Sequence, residues 1–266
     1  MFIRSTTVFA QDSLSYEIIH LSNRYCPHLE NPDNVCSTIE INTVKFQNAQ
    51  IGQAIQSKID KEIISSAFYD NCTRVEDCVK AIEVSTVDET SETEVNVIVR
   101  YNQNGVLALD LGFMSNYYGS AHPMYFSKTM NFDATTGVSI QLSDIVNSVK
   151  LKEFNLLAER QFIKENGSEG WDFQPGNFKV NDRFVLHGQG MTLYFDAYEL
   201  GTYAMGPAEL TLTWGAIKPF LKLGTPVSRI IGHWREINLL RFAPFFLKQY
   251  VYVEDKEQHQ PKDKKP

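Results

Sequence analysis

TEVNVIVRYNQNGVLALDLGFMSN, residues 93–116, decides how this chain is read. Val95, Val97 and Val99 alternate with polar neighbours, the period of a strand with one buried face. Asn104-Gly105 interrupts that strand, and both residue types accept positive φ, so the apolar run from Val106 folds back as a β-hairpin. Downstream, MYFSKTMNF (124–132) sets Tyr125, Ser127 and Thr129 against Phe126, Lys128 and Met130, and DATTG (133–137) turns the chain again. Residues 117–123 therefore join two neighbouring strands of one antiparallel sheet.

Upstream, LSYEIIHLSNR (14–24) and STIEINTVKF (37–46) read as two further strands. Between them and the hairpin, Ile51, Ala54, Ile55, Ile59, Ile63 and Phe68 mark one face of an amphipathic helix, with a second helical piece near 74–82. Beyond the sheet, 143–166 reads as a helix with Ser143 as its N-cap, and GSEGWDFQPGN (167–177) as a loop. Two strands then flank a turn at His187-Gly188-Gln189-Gly190. A second aromatic loop, AYELGTYAMGPA (197–208), leads to the strand ELTLTW and the short helix GAIKPFL. The expected class is α+β: a mixed, largely antiparallel sheet with a few packed helices, in two intimate α/β subdomains. The expected limits are 14–105 for an N-terminal module and 106–223 for a C-terminal one. An apolar and basic extension (224–253) and a charged, disordered tail (254–266) follow.

At 266 residues, 43% hydrophobic and 21% charged, the chain has the composition of a globular protein. A net charge of −7 argues against nucleic acid as a partner, because phosphate binding needs a clustered cationic surface. A cationic protein would suit that charge, which is also an ordinary solubility charge. No run of apolar residues is long enough to span a membrane. MFIRSTTVFAQDS (1–13) looks like the tail of a signal peptide, with Val8-Phe9-Ala10 resembling a cleavage site.

Four cysteines allow three pairings, and two short loops make Cys26–Cys36 and Cys72–Cys78 the natural ones. Zinc is the competitor, with His28 close by, but neither spacing matches the tight thiolate pairs of structural zinc. Each disulfide stabilises by roughly 2–3 kcal/mol and implies an oxidising compartment, here the periplasm or cell envelope.

Catalytic signals are few. Ser120-x-His122 invites a hydrolase reading, but sequence adjacency does not put a nucleophile on its base, and the G-x-S-x-G elbow is absent. The six histidines form no H-E-x-x-H or close pair; His122 and His187 could meet Asp110 or Asp196 only through the fold. Asp110, read as the end of a strand, and Glu199 form the one carboxylate pair to weigh for glycoside chemistry. No cofactor motif is present, and neither cofactor nor metal is expected. Arg229, Arg235, Arg241 and Lys248, interleaved with Trp234, Phe242, Phe245 and Phe246, suit a membrane or partner surface, or packing with the arginines reaching out.

Taken together, YYGSAHPMYFSKTMNFDATTG (117–137), LSDIV (142–146) and YELGTYAMGPAELTL (198–212) resemble the outer domain of lysozyme-sensing anti-sigma factors. A similar domain stands beside peptidoglycan and polysaccharide deacetylases. YCPHL, INTVKF and the helix after them resemble its small N-terminal companion, so the likeness covers about residues 15–222. It implies an extracytoplasmic α/β module that binds lysozyme through its loops. The chain lacks a recognisable sigma-binding part, transmembrane helix or deacetylase domain. The expectation is an exported, non-enzymatic binding module for lysozyme, another wall hydrolase or a wall glycan. Its contact residues would be Tyr117, Tyr118, Ser120, His122, Tyr198, Glu199 and Tyr203. The alternative is a wall-directed hydrolase using His122 and a distant carboxylate.

Overall fold

A computed structural model describes residues 7–8, 13–26, 36–48, 50–68, 72–81, 91–117, 119–173 and 175–232. Most of 1–13, His28, Tyr118, and the extension and tail from 233 onward lie outside the described residues.

The α+β class holds. One sheet runs β1-β2-β3-β4-β5-β6 and a second runs β7-β8-β9. In the first, β1 is Thr7–Val8, β2 Tyr16–Tyr25, β3 Ser37–Phe46, β4 Ser91–Gln103, β5 Val106–Tyr117 and β6 Met124–Asp133. In the second, β7 is Phe184–His187, β8 Gly190–Phe195 and β9 Ala208–Thr213. All pairs are antiparallel except β3 with β4. A parallel pair needs a crossover, and α1 (Ile51–Phe68) with α2 (Val75–Lys80) supplies it. Asn48 Oδ1 accepts the Gln50 and Ile51 N–H groups and starts α1. Both disulfides form, Cys26–Cys36 joining β2 to β3 and Cys72–Cys78 fastening α2 to the chain before it.

The hairpin turn takes positive φ at Asn104 (54°) and Gly105 (66°), as the dipeptide predicts. Behind it, β5 is buried on both faces. Leu107, Leu109 and Leu111 enter one core with Ile55, Ile59 and Ile63 of α1. Val106 and Ala108 enter the other, with the small sheet and α4 (Leu151–Asn166). Residues 105 and 106, the expected module boundary, thus fall at a hairpin inside the large sheet, which continues to Asp133.

Asn131 ties the sheets together. From β6, 3% exposed, its Nδ2 donates to Phe184 O (2.6 Å) and its Oδ1 accepts the Leu186 N–H (2.9 Å). A side-chain amide here stands in for a neighbouring strand. The start of the C-terminal extension packs inward: Val227 and Ile230 are buried, and Arg229 reaches Gly105 O and Asp133 Oδ1. Burial pushes the Asp133 pKa up, but hydrogen bonds from Thr135 and Arg229 outweigh it and hold the group below its usual value.

Three sequence readings are corrected. Ser143 is not an N-cap: Gln141 caps the short α3 (Leu142–Ile145), in a capping box with Asp144. The long helix expected over 143–166 is broken, because Val146 turns extended to bridge Leu221, while the Asn147 N–H donates to Phe220 O. Asp110 does not end its strand. It lies mid-β5, opposite Ile98 and Thr129, and is ion-paired with Arg100 at 2.8 Å.

Candidate functional site: an aromatic cleft between the sheets

Directly opposed residues of an antiparallel pair point to the same side. On one face of β4-β5-β6 the register therefore stacks four rows. Ala108 and Asn131 lie deepest, in the second core. Ile98, Asp110 and Thr129 come next, with the Arg100–Asp110 ion pair. Asn96, Gly112 and Ser127 follow, then Glu94, Met114 and Tyr125. The small sheet covers only the inner rows. The outer two open as the floor of a cleft of about 790 Å³.

Its roof comes from two loops. The β5–β6 loop gives His122, and the loop after β8 gives Asp196, Tyr198 and Tyr203. The rings form a row: His122 stacks on Tyr203 at 5.3 Å, and Tyr203 lies 5.4 Å from Tyr198. Tyr198 is 74% exposed and sits at φ 74°, a left-handed conformation rare for a large side chain. The loop is fixed in place: Trp171 bridges Gly201, the Asp172 N–H donates to Leu200 O (2.7 Å), and Arg183 binds both Asp196 and Glu199.

The candidate residues are dealt different parts. His122, Tyr198 and Tyr203 share the cleft. Glu199 is occupied by Arg183 and by the Asp196 N–H, so it shapes the loop. The Ser120 hydroxyl donates to Asn116 Oδ1 (2.9 Å), and His122 Nδ1 faces the Pro123 carbonyl (3.1 Å), so each is bonded within its own loop. Tyr117 ends β5, its carbonyl accepting the Ser120 N–H. Asp110 and Glu199 are each held by a different arginine. His187 lies apart, between the Gln189 N–H and Thr192 Oγ1, and burial lowers its pKa. Among the described residues no His, Cys, Asp and Glu gather into a metal site.

Glu94, Asn96 and Gly112 escaped sequence reading, since alternating polar residues in a strand look like an ordinary wet face. Gly112 inside an apolar strand was the available signal. A Cβ there would meet only Asn96 O, at 4.0 Å, so bareness leaves the floor open.

Fold and site thus define a two-sheet α+β protein with an aromatic cleft where the sheets part. Residues 141–215 match a family described as protein of unknown function, DUF3298. That span holds LSDIV and YELGTYAMGPAELTL but not the phrase at 117–137. The chain is similar to the crystal structure of a DUF3298 family member from Bacteroides fragilis NCTC 9343. Identity is 15% and TM-score 0.62, over 83% of this chain and 99% of that one. It is equally similar to a DUF3298 family protein from Pseudomonas aeruginosa PAO1, again with 15% identity and TM-score 0.62, over 77% and 94%. These likenesses concern the fold alone. No curated protein matches the chain.

Proposed function

We propose that this protein is an exported, non-enzymatic binding module of the bacterial cell envelope, which holds its ligand in the aromatic cleft. One observation carries the reading: two aromatic loops from different sheets converge over an open floor, while Ser120 and His122 are bonded locally. Exposed, mutually stacked rings offer contact area at little entropic cost. The two disulfides support an oxidising compartment.

The ligand is a wall glycan, or a cationic protein such as lysozyme or another wall hydrolase. The net charge of −7 favours encounter with a cationic partner, and the resemblance to lysozyme-sensing domains points the same way. Retention of lysozyme on the immobilised chain, at low and moderate salt, is the first test. Gly112→Leu fills the floor, and its Cβ would touch only the Asn96 carbonyl at an ordinary 4.0 Å, so it should abolish cleft-dependent retention while leaving the melting temperature near that of the wild type. Equal retention by the two proteins would remove the cleft from the reading.

A further inference from the structure

A chain of side-chain hydrogen bonds runs across the open face of the large sheet and ends in the cleft. His20 Nδ1 lies 2.9 Å from Asn42 Oδ1, Asn42 Nδ2 donates to Asn96 Oδ1 at 2.7 Å, and Asn96 Nδ2 donates to Glu94 Oε1 at 2.6 Å. The register sets these residues side by side: His20 opposes Asn42, and Asn42 opposes Asn96. Each amide oxygen accepts from one side and each amide nitrogen gives to the other, so the run has one direction. Reversing either amide would set oxygen against oxygen. Nδ1 of His20 therefore carries its proton, and the sequence of donors terminates on a carboxylate.

Two capacities remain at the cleft end: the second N–H of Asn96 and the other lone pairs of Glu94. A donor fixed beside an acceptor complements a pair of neighbouring hydroxyls, each of which gives and accepts. Gly112, next along the row, lets a ring lie close over the strands. Opposite stand Tyr203 and Tyr198, exposed faces suited to the apolar C–H face of a sugar ring. Charge narrows the choice. Glu94 and Asp196 line the cleft, no lysine or arginine among the described residues does, and the Arg183 beside Asp196 is already paired twice. Anionic ligands are disfavoured.

We infer that the cleft takes a pyranose glycan, neutral or amino-bearing, with vicinal hydroxyls on Asn96 and Glu94 and a ring face on Tyr203 and Tyr198. Asn42 and His20 act as positioning residues, holding the Asn96 amide the right way round. This rests on the reading of the cleft as a binding site.

The test is calorimetric titration with a tetramer of β-linked N-acetylglucosamine, its deacetylated form and tetragalacturonate. The first two should bind, and tetragalacturonate at least tenfold more weakly. Asn96→Ala and Tyr203→Ala should each weaken binding tenfold or more. Asn42→Asp keeps the shape but presents oxygen to Asn96 Oδ1, so it should lower affinity several-fold at pH 7. The melting temperature should stay near that of the wild type; a merely structural role would lower stability and affinity together. Absence of binding by both amino-sugar tetramers, equal binding of tetragalacturonate, or indifference to Asn96→Ala and Tyr203→Ala would overturn the inference. If lysozyme is retained through a cleft that Gly112→Leu blocks while the sugars fail to bind, the glycan is wrong and the cleft reading stands. If Gly112→Leu alters neither ligand, both fall.

Discussion

Replacing Asn131 by alanine should be among the costliest polar substitutions in this protein. The side chain is 3% exposed and satisfies two main-chain groups of β7, the carbonyl of Phe184 and the amide of Leu186. Alanine leaves both orphaned between the sheets, too deep for easy hydration. Each stranded group costs about 1–3 kcal/mol, so the pair costs roughly 2–6 kcal/mol. At about 2 °C per kcal/mol for a chain of this size, that lowers the melting temperature by about 4–12 °C. Thermal unfolding followed by circular dichroism measures the total, and amide exchange at Leu186 reports the local loss. Asn131→Asp adds a sign. Burial beside the Phe184 carbonyl raises the introduced carboxyl's pKa above its unfolded value. Its protonated form can still donate, so the variant is least impaired at low pH and loses stability as pH rises through the raised pKa. An Asn131→Ala protein melting within about 2 °C of wild type, with Leu186 still protected, would refute the clamp.

Three further outcomes are expected. Burial holds His187 below its usual pKa, so its stabilisation is present above about pH 6.5 and is lost as pH falls through the lowered value; His187→Gln should flatten the melting temperature between pH 7.5 and 5. Gly190→Ala should destabilise by about 3 kcal/mol in urea unfolding, since a Cβ would lie 2.0 Å from Leu212 O. Thr129→Val should be neutral or stabilising by up to about 1 kcal/mol by the same assay, because the buried Thr129 hydroxyl has no hydrogen-bond partner among the described residues.

Local chemistry made much of this fold legible. Asn104-Gly105 announced its hairpin because few residues tolerate its backbone, β3 matched its predicted limits at Ser37 and Phe46, and the disulfides followed from short loops. What resisted depends on partners distant in sequence. Val146 leaves the helix because Leu221 is there to receive it, and nothing near Val146 foretells that. The parallel union of β3 and β4 sets Asn42 against Asn96, which no spacing reveals. The site was half legible for the same reason. His122, Tyr198 and Tyr203 lie in loops whose aromatic content stands out, whereas Glu94, Asn96 and Gly112 become a floor only when three strands align.

The two-sided burial of β5 also governs what this chain can tolerate in its making and remaking. Leucines face the helices while smaller Val106 and Ala108 face the second sheet. A one-residue insertion at the turn would turn every side chain of the strand about, pressing bulk where there is no room and leaving hollows where bulk is needed. Both halves would fail together, so β5 acts as a party wall between two dwellings, and neither half can be expressed, swapped or grafted without it.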